Sequence, residues 1–362
     1  MLYGFYNFSA FFHGIFFSIK FADSGIYITF DSIIKNKHLS AIDIIKAPIQ
    51  EEMKKFEPFF RASMKSPVPL LNIITHYILR RKGKQMRPMF VFLSAKLNGE
   101  ITEKTYLAAG LIELLHSATL IHDDIVDDAY ERRGFFSINA LWKNKIAVLV
   151  GDFFLSKGLL LAIEKKEFSL LEIVSEAVRD MSEGELLQIE KARRLNISED
   201  IYFEIIRKKT ASLIASCAAC GADSVGVDAE TKAKMKLFGE YVGIAFQIKD
   251  DIFDYNPNNL TGKPSGNDIK EKKLTLPLIH VLNKVDKTDR SFIINVVKKQ
   301  NSNKKKVKEV IDMVVQNGGI EYAEKMMNSY RDKAIELLMQ FPDNAARNSL
   351  KELVCYTTSR EK

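Results

Sequence analysis

From about Ile42 to the C-terminus, apolar residues recur at helical spacing, while strand-like alternation and paired glycine turns are scarce. The pattern predicts a succession of helices and an all-α fold. It is clearest from Tyr106 to Tyr130, where Leu107, Leu111, Leu114, Leu115, Ala118, Ile121 and Ile125 form one apolar stripe. A second long helix is expected from about Lys232 to Tyr255, with Met235, Phe238, Val242, Ala245, Phe246 and Phe253 inward and a stop at Asn256-Pro257-Asn258-Asn259. Pro58, Pro67, Pro69 and Pro88 punctuate the entry helices, and Asn317-Gly318-Gly319 marks a later break. No repeat of fixed period and no long polar linker divides the rest, so residues 39–362 read as one helical domain. Residues 1–38 differ: Phe5, Phe8, Phe11, Phe12, Phe16, Phe17 and Phe21 crowd together before any helical period begins. A basic start typical of a signal peptide is missing, and Lys20 and Asp23 interrupt the apolar run short of the roughly 18 residues a membrane span needs. This segment reads as a dispensable extension, and no transmembrane span is expected elsewhere.

Composition narrows the function only slightly. Across 362 residues, 53 Lys and Arg face 46 Asp and Glu, a formal charge of +7. The basic run Lys304-Lys305-Lys306 has no interleaved aromatics, which reads as a solvated connector and excludes a nucleic-acid groove. Cys217, Cys220 and Cys355 are too few for a disulfide framework, and a reducing cytoplasm is the expected setting. Cys217-Ala-Ala-Cys220 lies in an Ala/Ser-rich stretch and reads as close helix packing rather than redox or metal chemistry.

Candidate chemistry sits where each long helix turns acidic. Asp123-Asp124-Ile125-Val126-Asp127 on the first and Asp250-Asp251-Ile252-Phe253-Asp254 on the second both read D-D-x-x-D. On a helix, positions i and i+4 share one face about 6 Å apart, so Asp123 pairs with Asp127 and Asp250 with Asp254. Repulsion between such pairs on otherwise apolar helices calls for a cation, and carboxylate oxygens suit Mg²⁺ better than zinc or copper. Magnesium keeps its waters and bridges a few carboxylates to phosphate oxygens, so the pairs point to a diphosphate ligand. One copy alone would be an ordinary solvated acidic face; two copies with basic companions are not. Those companions are Lys84 and Arg87 before Pro88, Arg132 and Arg133 before Gly134, Lys209 beside Thr210, and Lys263 after Gly262. Guanidinium forks hold phosphate oxygens bidentately, and lysine acts as a point charge.

With these motifs the chain resembles the trans-isoprenyl diphosphate synthases, in particular the long-chain polyprenyl diphosphate synthases. The resemblance runs from about Ile45 to the C-terminus. It includes Gly83-Lys84-x-x-Arg87-Pro88, Glu113-Leu114-Leu115-His116, Arg132-Arg133-Gly134, Asn139-Ala140-Leu141-Trp142, Glu183-Gly184-Glu185-Leu186-Leu187-Gln188, Lys209-Thr210-Ala211 and Gly243-x-x-Phe246-Gln247 leading into the second aspartate motif. It implies a bundle of mostly antiparallel helices around a central cavity. Asp123, Asp124, Asp127, Asp250, Asp251 and Asp254 would hold Mg²⁺, about three ions with diphosphate bound, on an allylic substrate. Arg132, Lys209, Thr210, Gln247 and Lys263 would complete that site, with Lys273 an addition. Lys84, Arg87, His116 and Arg133 would hold isopentenyl diphosphate. Lys272 departs from the pattern, standing where many members have glycine.

The implied reaction is ionisation of the allylic C–O bond, attack by the isopentenyl double bond on the carbocation, and proton loss to the released diphosphate, in a pocket that excludes water. Ala118 and Thr119, small side chains one turn before Asp123, leave the pocket open where short-chain members place aromatic rings. Leu115 and Ile112 lie one turn deeper. The expected product carries about seven to ten isoprene units in an apolar pocket, as in a quinone side chain. The resemblance also implies a homodimer and allows peripheral membrane contact for product release. Competing readings are a shorter-chain farnesyl or geranylgeranyl synthase, a regulatory subunit of a heteromeric synthase, which intact aspartates oppose, and a terpene cyclase, which needs no second diphosphate site.

Overall fold

The structure is a computed structural model that describes residues 18–20, 27–29, 40–80, 83–132, 134–195, 197–255 and 266–359. The chain divides into two units, Met1–Ile44 and Ile45–Lys362. In the first, β1 (Ser18–Lys20) pairs antiparallel with β2 (Tyr27–Thr29), Ser18 opposite Thr29. Helix α1 (Ala41–Lys46) starts at a local cap, where Ser40 Oγ donates to Asp43 Oδ2 at 2.9 Å.

The second unit is helical, as expected. Its elements are α2 (Gln50–Ser63), α3 (Pro69–Arg80), α4 (Met86–Asn98), α5 (Glu103–Val126), a hairpin of β3 (Glu131–Arg132) and β4 (Phe135–Phe136), α6 (Ile138–Glu164), α7 (Phe168–Arg194) and α8 (Glu199–Ile206). A π-helical turn, Arg207–Ala211, leads into α9 (Ser212–Asp223), followed by α10 (Ala229–Phe253). The short α11 (Asn267–Lys270), α12 (Leu276–Lys284), α13 (Lys287–Lys299), α14 (Lys304–Gln316), α15 (Gly319–Leu338) and α16 (Ala345–Ser359) complete the unit. Polar residues set the long helices' starts: Thr102 and Thr105 form a capping box for α5, and Asp228 accepts the Thr231 amide at 2.7 Å for α10. Both aspartate helices therefore begin three residues earlier than their apolar stripes suggest, at Glu103 and Ala229.

Two apolar clusters build the interior. One joins α3, α5 and α6 through Ile74, Leu114, Ala118, Val150 and Phe154. The other gathers α8, α10 and the C-terminal helices around Ile244, Ile248, Leu278, Val296 and Val310. Remote from both aspartate motifs along the helices, Asp223 accepts hydrogen bonds from Ser169 at 2.6 Å and Lys232 at 3.1 Å and an ion pair from Lys104 at 3.1 Å, tying α5, α7, α9 and α10 together.

Helix α6 departs from the expectation that no further segment reaches membrane-spanning character: by length and composition alone, Ile138–Glu164 is apolar enough to cross a bilayer. The stripe reading missed it because its apolar residues are spread around the axis rather than confined to one face. Lys143, with φ 70° and ψ 159°, breaks it near the start.

Candidate active site

The two acidic motifs occupy equivalent places, at the C-terminal ends of α5 and α10. In each, the last aspartate is the helix C-cap: the Asp127 amide bonds back to the Asp123 carbonyl at 2.8 Å, and that of Asp254 to the Asp251 carbonyl at 3.2 Å. Asp128 follows with φ 48°, which ends α5 four residues before the expected Tyr130. A helix C-terminus carries partial negative charge, so carboxylates there add to it instead of offsetting it. The fold concentrates anionic character where stability alone would place lysine or arginine, which is the electrostatic setting for a bound cation.

Asp123 is half-buried, Asp124 is buried and Asp127 is exposed. The Asp124 carbonyl accepts the Asn139 side-chain amide at 3.2 Å, fastening the end of α5 to the start of α6. In the second motif the carboxylates differ in their bonding. Asp251 is buried, accepting Tyr202 Oη on Oδ2 at 2.6 Å and Gln247 Nε2 on Oδ1 at 2.8 Å. Burial pushes its pKa up to about 7, against the pull of those two donors, and Asp250 adds to the rise while Lys273 opposes it. Asp254 accepts the amides of Asn267 at 2.9 Å and Asp268 at 3.0 Å, so it anchors α11; burial raises its pKa despite those bonds. Asp250 is half-buried on the turn between them.

Lys273 connects the two clusters electrostatically. Its ammonium pairs with Glu271 at 2.5 Å. Burial works against the charge, but Glu271, Asp268 and Asp127 outweigh it and hold its pKa above the ordinary lysine value. Lys273 thus feels Asp127 of the first motif, while Asp251 of the second feels Lys273. Lys272 before it has φ 58°, a left-handed backbone that an L side chain adopts only with strain, so this is a position suited to glycine.

Lys209 and Thr210 lie in the π turn, a local widening of the helix of the kind that often marks functional positions. Two glycines let neighbouring helices press against it. A Cβ on Gly184 of α7 would stand 2.7 Å from the Lys209 amide nitrogen, and one on Gly243 of α10 would stand 2.5 Å from the Ala211 Cα. Lys209 is paired with Glu185, and Thr210 Oγ1 donates to Gln247 Oε1 at 2.7 Å.

The residues expected to hold the second diphosphate gather at the start of α4 and the middle of α5. Gln85, with φ 53°, turns the chain into α4, and Lys84 lies over the Tyr356 ring of α16 at 5.1 Å. Arg87 donates to Glu113 Oε1 at 2.7 Å, and His116 is half-buried one turn further along α5. Arg132 lies in the hairpin following the first motif. Arg133 and Lys263 lie outside the described residues. Ala118, Leu115 and Ile112 are buried and Thr119 is half-buried; a Cβ on Gly158 of α6 would stand 3.2 Å from Leu111 Cδ1 and 3.6 Å from Leu115 Cγ, so α6 packs closely against α5 at that level.

The polyprenyl synthetase family profile matches residues 68–314. The chain belongs to that family. It is 33% identical over 300 residues to the octaprenyl diphosphate synthase of Escherichia coli strain K12, covering 83% of this chain and 93% of that one. Among solved structures, a decaprenyl diphosphate synthase from Rhodobacter capsulatus superposes with a TM-score of 0.84 at 31% identity, covering 89% of this chain and 99% of that one. A geranylgeranyl pyrophosphate synthase from Bacteroides thetaiotaomicron superposes with a TM-score of 0.77 at 38% identity, covering 89% and 100%. Members of this family are prenyltransferases with the all-α isoprenoid synthase fold, and the present chain has that fold.

Sequence reasoning missed Tyr202, Glu185, Glu113 and Asp268. Asp268 is a further acidic group beside the second motif, its pKa raised well above the ordinary range by burial and then by Asp251 and Asp254. A lone aspartate outside any repeated motif gave no signal. Tyr202 sits on the apolar face of α8 and reads as core; Glu113 and Glu185 stand inside quoted motifs, where their charge was the available hint.

Proposed function

We propose that this family member is a Mg²⁺-dependent trans-prenyltransferase that condenses an allylic diphosphate repeatedly with isopentenyl diphosphate to give a long all-trans polyprenyl diphosphate. The observation that carries the reading is the matched pair of acidic motifs, each ending its long helix with an aspartate at the C-cap.

The donor set fits a hard divalent ion: every acidic ligand offered is a carboxylate oxygen, and the helix C-termini intensify the local negative potential. Among the described residues no three His, Cys, Asp or Glu side chains converge on one metal position; phosphate and water oxygens would have to complete the shell of any ion held there. Asp123, Asp124, Asp127, Asp250, Asp251 and Asp254 are assigned to hold it, with Asp251 and Asp254 also bonded into the fold through Tyr202, Gln247 and the amides of residues 267 and 268. Bound there, Mg²⁺ would neutralise charge on the departing diphosphate. Lys209, Gln247 and Lys273, with Arg132 and Lys263, bind and orient the allylic diphosphate. Lys84, Arg87, His116 and Arg133 bind the isopentenyl one. The apolar walls of α5 and α6 below exclude water from the cation and receive the growing tail. The described ends of both motifs support binding rather than a protein nucleophile, so leaving-group stabilisation provides the catalysis.

The small Ala118 and Thr119 favour long products, a quinone side-chain precursor among them. The shorter, geranylgeranyl reading has the Bacteroides thetaiotaomicron relative in its favour. The preserved aspartates of both motifs oppose a regulatory subunit. All three cysteines are free thiols, in keeping with a cytoplasmic setting. Incubating purified protein with Mg²⁺, farnesyl diphosphate and labelled isopentenyl diphosphate, with products read by mass spectrometry, tests the proposal. A linear polyprenyl series supports it, its longest member fixing the chain length; no product, or a cyclic hydrocarbon, defeats it.

A further inference from the structure

We propose that Tyr202 is a positioning residue for the allylic-diphosphate side of the site, acting through Asp251 to fix which way round the amide of Gln247 stands. The inference rests on the reading above and assigns a role to a buried side chain that belongs to neither aspartate motif.

Tyr202 projects from α8 and is 3% exposed, with its ring edge-on to Phe203 at 5.4 Å. Its hydroxyl reaches Asp251 Oδ2 at 2.6 Å, and the other oxygen, Oδ1, accepts Gln247 Nε2 at 2.8 Å. Gln247 Oε1 in turn accepts the Thr210 hydroxyl at 2.7 Å. The chain has a direction. Turning the amide over would set its carbonyl lone pairs against those of a carboxylate, so its NH₂ must face Asp251 and its carbonyl must face Thr210. The single proton of Thr210 is then spent on Gln247, while the second N–H of Gln247 remains as a donor. An anionic ligand needs donors. The geometry therefore makes Gln247 the group that donates to diphosphate and Thr210 the group that orients it.

A carboxylate held on one oxygen can pivot about its Cβ–Cγ bond; held on both, it cannot. Tyr202 provides the second hold. It comes from α8, which the π turn joins to Lys209, so the same short segment sets both the lysine and, through Asp251, the amide. Nothing else about Tyr202 demands a hydroxyl: a phenylalanine would fill the same space against Phe203.

The experiment uses Tyr202→Phe in the full-length protein. The KM for the allylic diphosphate should rise about tenfold, the effect of losing one charge-assisted hydrogen bond, while the KM for isopentenyl diphosphate stays within about twofold of wild type. Calorimetric titration of inorganic diphosphate in saturating Mg²⁺ should show a comparable weakening. That readout needs no turnover, so a protein that binds diphosphate but elongates nothing would overturn the proposed function and leave this inference standing. In a Gln247→Ala background, Tyr202→Phe should have no further effect on the allylic KM. If Tyr202→Phe does not fold, Asp251→Asn, whose own NH₂ faces Gln247 and reverses its amide, should give the same split between the two substrates. Equal KM values and unchanged diphosphate affinity in the variant, an equal rise for both substrates, or additive effects with Gln247→Ala would each overturn the role.

Discussion

At the scale of single residues, the aspartates of the second motif are not interchangeable. Asp251 and Asp254 each accept two hydrogen bonds from the fold, so deleting either removes structure along with charge. Asp250 stands next to them at the negative end of α10, where a carboxylate is unfavourable in the absence of a cation. Asp250→Ala should therefore lower kcat/KM by roughly a thousandfold, about 4 kcal/mol of lost transition-state stabilisation. Steady-state kinetics check it, and a kcat/KM within about tenfold of wild type would contradict the account. Product length is also set by single residues. Ala118 is 2% exposed between Leu114 and Ile121 and packs in the cluster holding Val150 and Phe154. Ala118→Phe should cost about 1–3 kcal/mol through overpacking and shift the product distribution to shorter chains. A lowered melting temperature with unchanged product masses would show that the pocket does not pass Ala118.

Elements decide what the sequence could and could not reveal. The helical period of α5 and α10 and the spacing of their aspartates were legible because both are local, and the match to a known motif set gave the fold. The caps were not: nothing in D-D-x-x-D says that its last residue leaves the helix, since that depends on the left-handed Asp128 after α5 and on the amides of residues 267 and 268 after α10. The strain at Lys272, by contrast, was foreshadowed by the family resemblance, which implies a glycine at that position. The π turn shows how neighbouring elements set a site. Gly243→Ala would place a Cβ 2.5 Å from the Ala211 Cα, backbone that cannot swing aside, so α10 and the turn must separate. A loss of about 2 kcal/mol or more is expected, together with a raised allylic KM as Gln247 parts from Thr210; thermal melts and kinetics report each. The end of α10 also predicts a pH dependence. Burial raises the pKa of Asp251 to about 7 and lifts those of Asp254 and Asp268, so the folded chain keeps protons that the unfolded chain sheds above about pH 4. These groups therefore weaken the metal-free fold progressively as pH rises above about 4, Asp251 adding its share up to about pH 7. Melting temperatures in chelator across that range should show the decline, and Asp251→Asn should make it shallower.

For the whole molecule, the open question is what covers α6. Its buried side packs on α5 through Ala147, Val150, Phe154 and Gly158, while Val148, Leu149, Leu160 and Ile163 are each at least 41% exposed. At 100° per residue these four positions after the Lys143 break fall on one flank of the helix, with Asp152 and Ser156 between them. A long apolar flank opposite a filled core is costly in water, and a two-fold pairing of like surfaces is the commonest way to cover it. Membrane insertion is a poorer answer, because the opposite side of α6 is already committed to α5, with Gly158 against Leu111, Leu114 and Leu115. A homodimer packed through α6 is therefore expected, in line with the family resemblance. Light scattering after size exclusion should give twice the mass of one chain. Leu149→Glu with Leu160→Glu would bury four charges across a two-fold contact and should shift the species to monomer at micromolar concentration, with helical content retained by circular dichroism. A dimer that survives both charges would place the interface elsewhere on the molecule.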